Sequence, residues 1–270
     1  MAEQAQKSYD ELGFTDDFLF GKIMTTHLDL AKELLELILD IRIKELRLAQ
    51  SQKSEKFTPL DRGVRYDVYV EDSENTVYDI EMQTSAEENI GKRMRYYQGM
   101  IDLDTLQTGA PFGSLKKSYV IFLCTKKPAK LSPVLPLYTF SSVCREDPAV
   151  ELGDETFKVI VNADCDFTGE NRKLGHFLSY LRAQTVQDDF TSALSDAVRT
   201  AKTAVEWRME YMTMLRKLQE AGFNADRRRL QATVIKMYQL GLSMPIIAAS
   251  NDISEEEAKA ILEKNGYYQS

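Results

Sequence analysis

Apolar residues recur at three- and four-residue steps through Phe18, Ile23, Leu30, Leu34, Leu37, Ile38 and Ile41. That spacing lines one face of a helix. Asp16 and Asp17 stand where such a helix would begin, so one or two amphipathic helices are expected over residues 16–40. Ile43 to Leu48 alternates and is expected as a strand. The period is then two. Val64, Tyr66, Val68 and Val70 fall on one face, with Arg65, Asp67, Tyr69 and Glu71 on the other. A second run sets Tyr78, Ile80 and Met82 against Asp79, Glu81 and Gln83. Asp72-Ser-Glu-Asn75 between them carries turn chemistry, so the two runs form a hairpin.

Residues 87–108 are expected as a helix that ends near Gly109 and Pro111. Tyr119–Cys124 is wholly apolar between lysines, which suits a strand buried on both faces. Leu135–Phe140 and Thr156–Val161 are further strand candidates. Strands and helices alternating in this way imply a mixed α/β core. From about Asn171 the pattern is helical only. Residues 189–221 run without Pro or Gly and are expected as one long helix, with Gly222 as its stop. A helix of that length suits packing along a partner, so a homodimer through the C-terminal helices is expected. The expected domains are a core over residues 1–165, a helical extension over 166–222 and a helical module over 223–270. In that last module, residues 244–262 resemble a helix-turn-helix, with Ser254 as N-cap of the second helix. That helix begins Glu255-Glu-Glu257, a poor approach to phosphates, so a packing module is the competing interpretation.

Composition narrows the function classes. No stretch approaches the roughly 18 apolar residues that span a bilayer, and the start lacks an apolar signal core, so a cytoplasmic protein with no membrane partner is expected. Cys124, Cys144 and Cys165 are scattered and odd in number, which fits neither a disulfide framework nor a zinc spacing. His27 and His176 have no neighbouring ligands. No phosphate loop and no nucleophile elbow is present. The net charge is −8, yet residues 91–130 hold eight basic side chains against two acidic ones. That local excess is a solvated helix face and loop ends, or a phosphate-contacting surface if a nuclease site lies beside it.

The acidic face of the hairpin holds the candidate chemistry. A connection over 72–76 puts Asp67 opposite Glu81, and a two-residue shift puts it opposite Asp79. Like charges across a ladder destabilise a sheet by roughly 0.2–1 kcal/mol, and a cation between them reverses the sign. Carboxylate oxygens are the hard ligands that Mg²⁺ prefers. A half-exposed hairpin with an acidic outer face gives the same alternation, and the pattern alone does not separate the two.

Gly63-Val-Arg-Tyr-Asp67-Val-Tyr-Val followed by Tyr78-Asp-Ile-Glu81-Met-Gln83 resembles the Asp…(Asp/Glu)-X-(Lys/Gln) signature of PD-(D/E)XK nucleases. More narrowly it resembles the PD-(D/E)XK nuclease family transposases, the recombination-promoting nucleases. Thr15-Asp-Asp-Phe-Leu-Phe-Gly-Lys22, Lys32-Glu-Leu-Leu35, Lys92-Arg-Met-Arg-Tyr-Tyr-Gln98, Lys117-Ser-Tyr-Val-Ile-Phe-Leu123 and Val205-Glu-Trp-Arg-Met-Glu-Tyr-Met212 are similar to the same family, in order. The resemblance implies a restriction-endonuclease-like mixed sheet flanked by helices, and a metal-dependent DNA endonuclease of little sequence specificity linked to transposition or recombination. It implies Asp67 and Glu81 as ligands of Mg²⁺, or of Mn²⁺ or another divalent ion, and Gln83 at a position that is Lys in many members of the wider class. Tyr66 replaces the name-giving Pro, which is not a ligand. Gln83 can orient a water or phosphate but supplies no positive charge. The class often draws a third acid from its first helix, and Glu33 lies about 100° from the centre of that helix's apolar stripe, at its edge. Lys92, Arg93 and Arg95 are expected to contact the DNA backbone. The competing function is a catalytically inactive DNA- or protein-binding relative.

Overall fold

A computed structural model describes residues 7–49, 66–131 and 134–268. Val64 and Arg65, expected in the first hairpin strand, lie outside the described residues. The chain divides by internal contacts into two compact units, Met1–Ala204 and Val205–Ser270.

The first unit is built on a mixed sheet. Its strands are β1 (Leu46–Leu48), β2 (Val68–Asp72), β3 (Val77–Gln83), β4 (Ser118–Cys124), β5 (Leu137–Phe140) and β6 (Thr156–Asn162), in the spatial order β1-β2-β3-β4-β6-β5. β1, β2 and β3 are antiparallel neighbours, β3, β4 and β6 run parallel, and β5 closes the far edge antiparallel to β6. The apolar run at 119–124 is therefore central and buried throughout, as a strand covered on both faces must be. α3 (Ile90–Thr105) links β3 to β4 and packs Ile90, Met94 and Ile101 on Val120, Phe122 and Cys124. α1 (Asp17–Thr26) lies against β2 and packs with α2 (Leu28–Leu39) and α5 (Asp189–Thr203), and α4 (Arg172–Ala183) packs on α2 and α5. The mixed α/β, restriction-endonuclease-like architecture expected from the sequence is what the chain forms.

Two expectations differ. The helical extension over 166–222 is not one body: α4 and α5 pack on α1 and α2 inside the first unit, and the division falls at 204/205. The helix expected over 189–221 breaks at Ala204, whose backbone is extended (φ −74, ψ 106). Thr203 and Val205 flank that break, and both are β-branched and stiff in helices. No Gly or Pro marks it.

The second unit begins with α6 (Val205–Gln239), which runs straight through Gly222. Glycine inside an exposed helix costs only about 1 kcal/mol, too little to end one this long. The stop comes at Gly241, with φ +80. There the Gly241 N–H bonds the Tyr238 carbonyl and the Leu242 N–H bonds the Met237 carbonyl, a Schellman arrangement that uses up the last orphan carbonyls. α7 (Met244–Ser250) and α8 (Glu255–Lys264) then pack on the end of α6 around Val234, Ile247, Ala258 and Leu262. Ser254 caps α8 by accepting from the Glu257 N–H, as expected. Among the described residues no helix is long and apolar enough to cross a membrane.

Candidate active site

The turn that builds the site is set by Asp72. Its Oδ1 accepts from the N–H groups of Glu74 and Thr76 at 2.8 and 2.9 Å, and its Oδ2 accepts from the Tyr78 hydroxyl at 2.8 Å. Asn75 takes the left-handed conformation (φ 65) that closes the loop. The register follows: Val68 faces Ile80 and Tyr69 faces Asp79. One step further, Asp67 stands opposite Glu81, the first of the two registers allowed by the sequence.

There the ladder gives way to side chains. Glu81 Oε1 accepts from the Asp67 N–H at 3.0 Å, and Asp67 Oδ2 accepts from the Met82 N–H at 3.0 Å. Each carboxylate is pinned by the other residue's strand, so the two meet at the fork where β2 and β3 part. Gly21 of α1 is packed on the same point: a Cβ there would lie 2.9 Å from the Asp67 carbonyl oxygen. Helix, strand and fork are thus fixed together.

Acids along this face differ in how they are neutralised. Glu71, near the hairpin turn, bonds Lys116 at 2.6 Å and Arg47 at 3.2 Å. Asp79 and Glu81 have no such close cation. Asp79 is 0 % exposed, and neither of its carboxyl oxygens has a hydrogen-bond donor. Burial, then the Glu81 charge, pushes Asp79 well above the ordinary carboxylate range. Glu81, 3 % exposed, is also raised by burial, against the Asp67 N–H and the Tyr97 hydroxyl that favour its charge. Buried carboxylates held this close are stable as anions only with a cation beside them.

Gln83 completes the row on β3. Its Nε2 donates to the Ser85 carbonyl and hydroxyl at 2.8 and 2.9 Å, and its Oε1 accepts from Arg93 Nη1 at 2.5 Å. Arg93, expected on the DNA-facing surface, instead turns inward. It lies over the Phe122 ring at 4.9 Å and reaches the Tyr97 hydroxyl at 3.5 Å. Its Nη2 is 3.9 Å from Glu81 Oε2, outside direct hydrogen-bond reach, so Glu81 is not locked to it. Lys92 and Arg95 are exposed on α3. Glu33 is not drawn into the cluster. Its carboxylate bonds Lys173 at 2.8 Å, across a cleft of about 320 Å³ between α2 and α4. The sequence reading passed over Tyr97, Gly21 and the burial of Asp79. Asp79 is two residues before Glu81 on one strand face, and Tyr97 is four residues after Arg93 on one helix face; those spacings were the available signal.

Among the described residues, no three or more His, Cys, Asp or Glu side chains stand in a metal-holding arrangement. The donor chemistry nonetheless fits a hard divalent cation. Mg²⁺ needs one or two carboxylates, with water and phosphate filling its other positions, and the Asp67–Glu81 fork offers two beside an orphaned third.

No curated protein and no solved structure matches the chain. Residues 15–133, which run from α1 to just beyond β4 and hold Asp67, Asp79, Glu81, Gln83 and Arg93 but stop short of the tract at 205–212, match the family model of the PD-(D/E)XK nuclease family transposases.

Proposed function

We propose that the chain is a divalent-metal-dependent DNA endonuclease that hydrolyses phosphodiester bonds with little sequence preference, in the service of transposition or recombination. The observation that carries this reading is the acid fork. Asp67 and Glu81 are interlocked through each other's backbone, next to a fully buried carboxyl with no donor of its own. Buried carboxyls clustered with their pKa values raised, at a cost to the fold, support reading this as a functional site.

Asp67 and Glu81 would hold Mg²⁺ or Mn²⁺. Such an ion, when bound, lowers the pKa of a coordinated water and neutralises charge on the phosphate. The chain's own residues do the rest. The backbone bonds from Asp67 and Met82 fix the two carboxylates without relying on loop side chains. Tyr97 holds Glu81 through its hydroxyl. Gln83, tied at both ends, keeps the strand terminus rigid. Lys92 and Arg95 lie outward on the same helix, where they would meet the phosphate backbone and position the strand without reading bases.

The test is nicking of supercoiled plasmid with Mg²⁺ or Mn²⁺ by wild type, Asp67→Ala and Glu81→Ala, alongside Mn²⁺ binding to the same proteins. Wild type should nick and bind, and both variants should lose each property. A second reading, an inactive DNA-binding relative, is favoured by one observation: the Gln83 amide is neutral and fully engaged. It predicts a wild type that binds DNA and never nicks it.

A further inference from the structure

The geometry points to Arg93 as the residue that donates to the scissile phosphate, a role distinct from the backbone contact its place on a basic helix suggests. The inference rests on the nuclease reading above and adds a residue to that site.

Chain connectivity puts Arg93 there. β3 ends at Gln83 and α3 begins at Ile90, so only residues 84–89 separate them. A link that short folds the first turn of α3 back over the end of β3. Residues 92, 93 and 95 then part company, since successive helix positions are turned by about 100°. Lys92 and Arg95 face solvent, whereas Arg93 faces the strand.

The guanidinium is held as a prepared donor. Nη1 bonds Gln83, the Phe122 ring lies beneath the plane at 4.9 Å, and Tyr97 and Glu87 bracket it at 3.5 and 3.9 Å. A guanidinium carries five N–H donors in a rigid fork, more than these contacts use. The side chain remains 35 % exposed, so an edge stays open to an incoming anion. Electrostatics give the arrangement a purpose. Asp67 and Glu81 would repel a phosphodiester, and Gln83 brings no charge to oppose them. Arg93 brings a full positive charge to the same point, where charge develops on the phosphate as the bond breaks. Gln83 on this view is a positioning residue, and its bond to Nη1 aims the guanidinium.

The experiment compares wild type, Arg93→Gln, Arg93→Lys and the Arg93→Gln, Gln83→Lys double variant, with Lys92→Ala as the reference for a backbone contact. Single-turnover nicking is measured at saturating DNA with Mn²⁺, and DNA affinity is measured against salt with Ca²⁺ in its place. Arg93→Gln should lower the saturating rate about 10²-fold, the size of losing one preorganised donor. Lys92→Ala should reduce the salt slope by about 0.9 and lower the saturating rate far less than Arg93→Gln does. Arg93→Lys, which keeps the charge but not the fork stacked on Phe122, should lose less than Arg93→Gln and stay below wild type. Gln83→Lys, which returns a cation within reach of the same point, should recover at least tenfold in the Arg93→Gln background. An Arg93→Gln protein that behaves as Lys92→Ala does, or a double variant that regains nothing while holding the wild-type Mn²⁺ affinity, overturns the assignment. A wild type that never nicks defeats the nuclease reading and the assignment with it; a wild type that nicks no faster than Arg93→Gln defeats the assignment alone.

Discussion

Replacing Asp79 with Asn should make the metal-free protein more stable. The side chain is 0 % exposed, its two oxygens have no donor, and Glu81 and Asp67 add like charge. A buried polar group left unsatisfied costs about 1–3 kcal/mol. Asn has nearly the same shape, carries no charge and brings an amide N–H₂ that can donate to Glu81. The gain at pH 7.5 should therefore be about 1–3 kcal/mol, or roughly 2–4 °C in melting temperature for each kcal/mol in a unit of this size. The sign with pH is fixed by the direction of the shift. Burial raises the folded-state pKa above the ordinary aspartate value, which the unfolded chain keeps, so between the two values the folded state holds a proton that the unfolded state has lost. Stability then falls as pH rises from that value towards the folded pKa, by at most about 1.4 kcal/mol per pH unit. Glu81, also raised by burial, keeps part of this loss in both proteins, but wild type should lose more than Asp79→Asn, so the gap between them widens from pH 5 to pH 7.5. Urea unfolding in EDTA at both pH values measures it. The probe should be the near-ultraviolet circular dichroism of the tyrosines, because most of them lie in the first unit whereas the single Trp, Trp207, belongs to the second. Saturating Mn²⁺ should stabilise wild type, since a ligand held only by the folded state adds about 2.7 kcal/mol at a hundred times its dissociation constant. An Asn variant that is less stable than wild type in EDTA at pH 7.5, or that keeps the same pH slope, would refute the claim that Asp79 is a strained, unsatisfied acid.

Gly21→Ala improves helix propensity by about 1 kcal/mol yet puts a methyl 2.9 Å from the Asp67 carbonyl oxygen, against backbone that cannot swing away. The net effect should be a loss of about 1–3 kcal/mol, measured by denaturant melts, together with weaker Mn²⁺ binding because the fork moves with Asp67. Glu33→Gln breaks only an exposed pair with Lys173, so stability should change by less than about 1 kcal/mol and the nicking rate should stay at the wild-type level; a rate collapse would put Glu33 in the chemistry after all.

Much of the core was legible because its signals are periodic and local. The alternation at 68–71 and 77–83 gave both strands, and Asp72 set a turn whose chemistry is visible in four letters. The 119–124 run could be placed at the centre of the sheet because it has no polar face to expose. What failed were boundaries set by tertiary fit. Ala204 leaves the helix with no breaker residue to announce it, and Gly222 stays inside one because a solvent-facing glycine is cheap to keep. In the site, periodicity gave the face on which Asp79, Glu81 and Gln83 lie. It did not give their depth, because a polar face beneath α3 alternates just as one beneath water does. Nor did it give the direction of Arg93. Three basic residues in Lys92-Arg-Met-Arg95 look alike in sequence, and only the length of the 84–89 link decides which one faces the strand.

The acid fork and the overall charge pose a single electrostatic problem for the proposed activity. A protein at −8 with several carboxyls buried at one point repels the polyanion it would cut. On the proposed reading the exposed basic residues of α3 would draw the strand to the neighbourhood, but the last few ångströms would run against Asp67 and Glu81. Cation binding at the fork removes that repulsion, so the free energy of holding the metal and of seating the phosphate are coupled. Such coupling is reciprocal: a phosphate seated beside the fork must raise metal affinity by the factor by which metal raises DNA affinity. The buried acids that weaken the empty fold are, on this account, what makes productive DNA binding conditional on the ion.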